Sequence, residues 1–295
     1  TVKSIGEEAF AGCDALTQVE CESTFPLQIT PNVFSEQAYA AATLSVPSGF
    51  TSEYRNAEGW SNFATVKEFT IPINAGDIFR AGGVTYEVTS ALTDSATVRA
   101  RYCKTEGNPD RAKVMAANKD GYVGNVTIPA TVTYQERAFA VTELSDSIFY
   151  GATALTGADI QAPVTRIGKY AFNECEAITS ILLPTTVKTI DTYAFAYCSV
   201  IKEIQLPESV EALEGERTFF QCNALERVNI PARVTSLPRY CFSYCNALQE
   251  LILGAEITAL GDNLFQNCTS LRKVVLPDGL KKLHNYIFSS CGALA

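Results

Sequence analysis

The sequence predicts a solenoid, a fold in which short coils of similar length stack along one axis and bury apolar residues against each other. A phenylalanine recurs at intervals of 23 or 24 residues through the second half of the chain, at Phe149, Phe172, Phe195, Phe219, Phe242, Phe265 and Phe288. A cysteine follows six of these seven phenylalanines three residues later, at Cys175, Cys198, Cys222, Cys245, Cys268 and Cys291. This fixed period indicates that each motif residue occupies the same place in every coil.

Each repeat contains two segments that are typical of short strands and one return segment. In residues 201–207, Ile-Lys-Glu-Ile-Gln-Leu-Pro, apolar and polar residues alternate as in a half-buried strand. The proline ends that strand because it has no N–H group for a sheet ladder. Residues 234–237, Val-Thr-Ser-Leu, represent the second strand. The Ala-Phe-x-x-Cys segment then predicts a tight turn or one helical turn, with phenylalanine filling the coil and cysteine packing beneath it.

This pattern, L-x-x-[IV]-x-[IL]-P, then V-x-x-[IL], then A-F-x-x-C with a 23-residue period, resembles the BspA-like leucine-rich repeat family of bacterial surface proteins. The resemblance implies a leucine-rich repeat solenoid that is right-handed, with parallel β stacks and short helical or irregular returns. Three coils depart from the pattern. Ala152 stands where cysteine is expected. The coil of Phe219 is one residue longer than the others and has Thr-Phe-Phe in place of Ala-Phe. Cys241 replaces the alanine that usually precedes the repeat phenylalanine, here Phe242.

The sequence predicts two arrays joined by a small β-rich junction. Residues 1–72 resemble the end of a first array with its C-terminal cap, in which Trp60, the only tryptophan, closes the end of the core. Residues 73–126 form the junction, and residues 127–295 form the second array of about seven coils. Because both ends of the chain fall within a repeat, we expect the chain to be part of a longer protein.

The junction breaks the 23-residue period. Its segments 76–79, 84–89 and 97–102 are rich in β-branched and aromatic residues, which favours short antiparallel strands. The polar stretch 104–118 predicts a loop. In proteins of the resembling family, such a unit precedes and caps a new array.

Composition excludes several classes of partner. Hydrophobic residues make up 47% and charged residues 19% of the chain, which favours a folded protein. The formal charge of −9 disfavours nucleic acid and anionic membrane surfaces, because both are bound by clustered Lys and Arg. No apolar run is long enough to span a bilayer. The first residues do not resemble a signal peptide, so an extracellular or outer-surface location is implied by the family resemblance alone.

The sequence predicts no catalysis, no cofactor and no metal site. His284 is the only histidine, so no metal site or catalytic triad can be built on several histidines. Phosphate-binding, dinucleotide-binding and nucleophile-elbow motifs are absent from the sequence. Pairs of carboxylates could still catalyse the hydrolysis of glycans. A glycan-acting enzyme therefore remains a hypothesis, ranked third after the two binding and structural functions given below.

The ten cysteines have two interpretations. Their spacing favours a ladder of inward-facing free thiols that act as small apolar residues. Disulfides remain the alternative, and Cys241 with Cys245, four residues apart, is the pair to inspect. No Cys-x-x-Cys pair occurs, which disfavours zinc.

Two surfaces are candidate binding faces. The first is the strand face, where charges alternate from coil to coil and can pair across the sheet or simply be solvated. Its members are Glu203, Gln205, Arg227, Asn229, Glu250, Ile252 and Lys273. The second is an aromatic stripe of tyrosines that lie two residues before or after the repeat phenylalanines. Its members are Tyr170, Tyr193, Tyr197, Tyr240, Tyr244 and Tyr286.

The resemblance implies a secreted or cell-surface adhesion module. Its partners would be host matrix proteins, other cells or glycans, bound by repeated weak contacts along a rigid surface. The alternative is a structural spacer that displays other domains of a longer surface protein. The oligomeric state is not predicted.

Overall fold

The computed structural model describes residues 2–294 except residues 3, 24, 71, 93–94 and 103–110. The chain forms two compact units. The first comprises Thr1–Asn74 and Thr133–Ala138, and the second comprises Ala75–Val132 and Phe139–Ala295. Among the described residues, no helix combines the length and apolar character that a membrane crossing requires.

The first unit contains a three-stranded parallel sheet in the order β1-β2-β3. Its elements in chain order are β1 (Gln18–Glu20), α1 (Glu36–Ala41), β2 (Thr43–Pro47), α2 (Thr51–Asn56), a 3-10 helix (Trp60–Asn62) and β3 (Thr65–Phe69). Helix α1 begins where the Ser35 hydroxyl accepts a hydrogen bond from the N–H of Ala38 at 3.2 Å.

Trp60 lies in the centre of an aromatic cluster in this unit. Its ring centroid lies 5.5 Å from that of Tyr54 and 6.1 Å from that of Phe34. Its indole N–H donates to the carbonyl of Leu27 at 2.7 Å, so the one polar atom of the ring is satisfied. Trp60 is 2% exposed and so belongs to the core of this unit, while its role in closing the end of a first array stays a prediction.

The described part of residues 78–144 forms strands and one helix, of which residues 133–138 belong to the first unit and the others to the second. The elements are β4 (Ile78–Ala81), β5 (Val84–Ser90), β6 (Thr97–Arg101), α3 (Arg111–Gly121), β7 (Gly124–Ile128), β8 (Thr131–Tyr134) and β9 (Arg137–Leu144). Five of the strands form a sheet in the order β4-β5-β6-β9-β8. The predicted antiparallel pairing of the first three strands is confirmed, and β6 pairs with β9 in parallel.

Helix α3 corrects the prediction of a loop over 104–118. The structure places a helix from Arg111 to Gly121, and residues 103–110 lie outside the described part of the chain. Val114 and Asn118 are one helical turn apart on its buried side. Because Asn118 is polar, the buried stripe of this helix cannot be recognised from hydrophobicity.

The remaining strands form stacked coils, which we refer to as the array. They are β10 (Leu155–Ile160), β11 (Arg166–Ile167), β12 (Ser180–Leu182), β13 (Thr189–Ile190), β14 (Glu203–Ile204), β15 (Ala212–Leu213), β16 (Arg227–Val228), β17 (Ser236–Leu237), β18 (Glu250–Ile252), β19 (Ala259–Leu260) and β20 (Lys273–Val275). All paired strands of the array are parallel. Strands β7, β10, β12, β14, β16, β18 and β20 succeed one another on one face, and β11, β13, β15, β17 and β19 on a second. The predicted solenoid of parallel stacked strands is confirmed.

The repeat phenylalanines form a continuous column inside the array. The ring centroids of Phe195 and Phe219 lie 5.4 Å apart, and those of Phe219 and Phe242 lie 5.3 Å apart, with the rings 3° from parallel in both pairs. The rings from Phe149 to Phe265 are fully buried. The period thus places the largest apolar side chain of every coil at the same point along the axis.

The return segment of each coil uses left-handed backbone at two positions. These are the residues two before and two after the repeat phenylalanine, with φ angles of 56° to 70° in the coils from Phe149 to Phe288. The earlier positions are Ser147, Tyr170, Tyr193, Arg217, Tyr240, Asn263 and Tyr286, and the later ones are Gly151, Glu174, Tyr197, Gln221, Tyr244, Asn267 and Ser290. A left-handed residue other than glycine destabilises the fold by roughly 1–2 kcal/mol, so other interactions of the coil must offset this cost.

Backbone hydrogen bonds between the return segments of adjacent coils offset this cost, and we refer to this row of bonds as the hydrogen-bonded edge. The N–H groups of Phe149 and Gly151 donate to the carbonyls of Ala171 and Asn173 in the next coil, at 2.9 and 2.8 Å. The same bonds recur at equivalent positions along the array. The alternating backbone therefore directs N–H groups towards the following coil and carbonyls towards the preceding one.

The repeat cysteines add a second contact between coils. Each thiol donates to the carbonyl of the repeat phenylalanine in the preceding coil, at 3.0–3.2 Å. Burial raises the pKa of Cys222 and of Cys268 to about 12, so both thiols stay protonated and can donate. All nine described cysteines are free, including Cys241 and Cys245, as the inward spacing favoured, and Cys103 lies outside the described residues.

Asn118 of helix α3 completes the hydrogen-bonded edge at the first of these coils. Its side-chain amide donates to the carbonyls of Ile148 and Tyr150, at 3.1 and 3.0 Å, and lies 3.3 Å from that of Ser147. In later coils, the carbonyls equivalent to those of Ile148 and Tyr150 accept N–H groups from the preceding coil. The Asn118 amide therefore takes the place of the N–H donors of a preceding coil. Because Asn118 is fully buried, water does not donate to these carbonyls instead.

Replacing Asn118 by alanine is expected to lower the free energy of unfolding by about 1–3 kcal/mol, because buried carbonyls lose their donor. Asn118→Asp should be at least as harmful, since a carboxylate of the same shape faces the carbonyls without N–H groups. Lys119→Ala, at an exposed neighbour on the same helix, is the control. Urea denaturation measures all three variants, and parent-like stability of Asn118→Ala would contradict the capping role.

Replacing Phe219 by alanine is expected to cost about 3–5 kcal/mol, because it leaves a cavity in the phenylalanine column. Phe220→Ala removes a half-buried ring from the next position and should cost less. Thermal denaturation of both variants tests this difference. Equal melting temperatures for Phe219→Ala and the parent would show that the column does not stabilise the array.

Thiol labelling tests the cysteine ladder. Iodoacetamide at mildly alkaline pH should modify the exposed Cys13 quickly, and should leave Cys175, Cys198, Cys222, Cys241, Cys245 and Cys268 unmodified until denaturant is added. The reason is that burial both raises the thiol pKa and excludes the reagent. Mass spectrometry of the labelled peptides gives the result, and disulfide-linked peptides from the native protein would refute free thiols.

Candidate functional site

Strands β14 to β20 bring the predicted charges of the strand face into pairs. Arg227 lies opposite Glu203 in the sheet and donates to it at 2.9 Å, and Lys273 lies opposite Glu250 and donates to it at 2.7 Å. The hydrogen bond from Arg227, and then that from Gln205, hold the pKa of the Glu203 carboxyl below its usual value. These pairs lie at the surface, where water screens them, so their contribution to stability is small.

Asn229 has a structural role on this face. Its side-chain oxygen accepts from the N–H of Leu206 at 2.7 Å, and its side-chain nitrogen donates to the Leu206 carbonyl at 2.8 Å. The amide thus imitates a neighbouring strand and ties two coils together. Since both ends of the amide are engaged, Asn229 has little capacity to recognise a partner.

Apolar side chains are concentrated at one part of the strand face. Ile252 and Val275 lie opposite each other on β18 and β20, with 64% and 39% of their surface exposed. The Glu250–Lys273 ion pair lies one step along the same two strands. We refer to Glu250, Ile252, Lys273 and Val275 as the strand-face patch.

The predicted tyrosines lie in two columns, one at the left-handed position before the repeat phenylalanine and one at the left-handed position after it. In the first, Tyr170 stacks on Tyr193 with ring centroids 5.2 Å apart. Arg217 then lies between Tyr193 and Tyr240, with its guanidinium 5.5 and 4.4 Å from the two ring centroids. Tyr286, whose exposure is the greatest, belongs to the last coil.

The second column contains Tyr197 and Tyr244, with Phe220 between them. Both tyrosine rings meet Phe220 edge to face, with centroids 5.5 Å apart in each pair. Arg217 and Phe220 were not among the predicted residues because neither is a tyrosine. Arg217 occupies the same left-handed position of its coil as Tyr193, and that shared position was the available signal.

The described residues offer no metal-binding group of three or more His, Cys, Asp and Glu side chains. The His284 imidazole lies 3.8 Å from the Asp262 carboxylate and is 40% exposed.

The model of the BspA type leucine-rich repeat region matches six copies, over residues 1–80, 142–231 and 165–295. No curated protein matches the sequence.

Similar solved structures are bacterial repeat proteins. A leucine-rich repeat protein from Bacteroides ovatus is 24% identical over 72% of this chain and 54% of its own, with a TM-score of 0.49. The pneumococcal vaccine antigen PcpA is 20% identical over 70% of this chain and 51% of its own, also at 0.49. The T. pallidum leucine-rich repeat protein is 20% identical over 74% of this chain and 80% of its own, at 0.43.

This chain spans about half the length of the first and second of these structures. Because all three TM-scores are below 0.5, the assignment to a family rests on the sequence match and the repeat geometry. The matched segments cover most of the sequence and include the coils from Phe149 to Phe288. The chain belongs to the BspA-type leucine-rich repeat family.

Proposed function

We propose that this chain is the interaction module of a bacterial surface protein, and that it binds a partner protein at the strand-face patch. The observation that carries the proposal is the pair of exposed apolar side chains, Ile252 and Val275, beside a charged pair on a regular sheet. Protein interfaces combine an apolar centre with a polar rim in this way.

The rigidity of the face supports this function. Strands β18 and β20 are held in register by the ladder, so the side chains of the patch are already ordered before a partner arrives. A preorganised surface loses less conformational entropy on binding. The other strands of the face repeat the same spacing, so several weak contacts along the array can add up as avidity.

Electrostatics favours a basic partner. The chain carries a formal charge of −9, and such a charge accelerates encounter with positively charged surfaces. Host matrix proteins with basic segments and proteins of neighbouring cells fit this requirement. A location outside the cell or on its surface is part of the proposal, and family membership supports it.

The second candidate function is a spacer that displays other domains. The continuous phenylalanine column and the recurring hydrogen bonds between coils favour it, because they make each coil stiff against its neighbours. The two functions differ in one respect: a spacer of this length binds nothing by itself.

Binding to immobilised matrix proteins tests the patch. A double variant, Ile252→Ser with Val275→Ser, should weaken a saturable interaction by about tenfold or more, because each truncation at an interface centre typically costs over 1 kcal/mol. The melting temperature should stay unchanged, since both side chains are exposed. Biolayer interferometry against a panel of matrix proteins provides the measurement.

Leu182→Ser is the matched control for this experiment. Leu182 occupies the same column in an earlier coil and is 62% exposed, so the substitution is chemically alike but lies outside the patch. Retained binding by Leu182→Ser would support the patch as the site. Equal weakening of binding by both variants would contradict this placement of the site. If the parent protein bound no member of the panel, the result would favour the spacer.

A further inference from the structure

A polar pocket of about 420 Å³ lies in the second unit, where strands β5, β6 and β9 approach the first coils of the array. Its volume falls within the range of small-molecule sites, about 300–1,000 Å³. Three arginines and three acidic residues line it: Glu87, Arg99, Arg101, Glu143, Asp146 and Arg166. None of these residues belongs to the strand face or to the tyrosine columns.

Sheet register builds one wall of the pocket. Arg99 on β6 lies opposite Glu87 on β5 and opposite Glu143 on β9, so the three charges form a row across the strands. One oxygen of the Glu87 carboxylate accepts a hydrogen bond from Arg99 and the other accepts one from Arg101, each at 3.1 Å. Arg101 is only 12% exposed and lies deepest in this group.

The first coils build the opposite wall. Arg166 donates to Asp146 at 2.9 Å and to Asp191 at 2.7 Å, which fixes its guanidinium between two carboxylates. Asp146 also accepts the N–H of Lys169 at 3.1 Å. The charged groups of this wall are therefore held by the coil backbone as well as by each other.

The lining alternates groups that only donate with groups that only accept. A guanidinium has N–H donors and no acceptor, and a carboxylate has acceptors and no donor. Three of each give a net charge of zero, so an anion would meet three carboxylates and a cation would meet three guanidiniums. The groups that suit both at once are hydroxyls, because each hydroxyl donates one hydrogen bond and accepts others.

We infer that this pocket binds a neutral saccharide. Sugar hydroxyls can donate to the carboxylates of this lining and accept from its guanidiniums. Tyr102 also lines the pocket, with the Arg101 guanidinium 4.4 Å from its ring centroid, and its ring adds an aromatic surface for the apolar side of a sugar. This inference does not depend on the proposed docking at the strand-face patch, because the two sites share no residue.

Glu143→Gln is the variant that tests the saccharide site. Glu143 is 58% exposed and approaches Arg99 only at 3.8 Å, so its charge contributes little to folding. The substitution keeps the shape but loses an acceptor that binds hydroxyls strongly. We expect the affinity for a neutral sugar to fall by about tenfold or more at an unchanged melting temperature.

The matched control is Glu211→Gln. Glu211 is 46% exposed and pairs with Arg233 at 3.3 Å on the array, outside the pocket. The probes are galactose, mannose, N-acetylglucosamine and lactose, with sialic acid and glucuronate as anionic counterparts. Saturation-transfer NMR detects binding, and calorimetric titration of the parent and both variants measures it.

Binding of a neutral sugar that weakens in Glu143→Gln and persists in Glu211→Gln would support the inference. Three results would overturn it: no binding of any neutral probe, binding of the anionic probes alone, or neutral-sugar binding that survives Glu143→Gln. The strand-face proposal is tested separately, since the Ile252 and Val275 variants should leave sugar binding intact and Glu143→Gln should leave matrix-protein binding intact.

Discussion

The hydrogen-bonded edge between return segments is the interaction on which the array depends. Left-handed residues on both sides of each repeat phenylalanine turn alternate N–H groups towards the next coil. Without these bonds, the conformations would be a net cost of roughly 1–2 kcal/mol for each residue other than glycine. The phenylalanine column and the cysteine thiols then stabilise the same boundary from inside, so backbone geometry and core packing favour one spacing.

An edge of this kind needs a donor at its start, and helix α3 supplies one. Asn118 provides N–H groups where no preceding coil is present, which allows helix α3 to pack directly on the first coil. The neighbouring strands β5, β6 and β9 approach the same coils with a row of charges. The arrangement that closes the array therefore also creates the polar pocket.

The surface of the array follows from the same backbone. The left-handed positions hold tyrosines and Arg217 beside the buried column, where Tyr170 stacks on Tyr193 and Arg217 lies between Tyr193 and Tyr240. The strand face differs, since its side chains point outward from a flat ladder. Ile252 and Val275 lie there with 64% and 39% of their surface exposed, and this exposure supports the proposed docking at the strand-face patch.

The period of phenylalanine and cysteine was sufficient to predict the solenoid, the buried columns and the parallel strands. The reason is that every coil repeats the same backbone conformation and buries the same residues. The pairing of Glu203 with Arg227 also followed from the repeat, since equivalent positions of adjacent coils are neighbours. Other features were decided only by the tertiary structure. Asn118 on the buried side of helix α3 and Glu87 beside Arg99 and Arg101 depend on residues that lie outside the repeat. Their roles arise from contacts between segments distant in sequence, and no local pattern encodes such contacts.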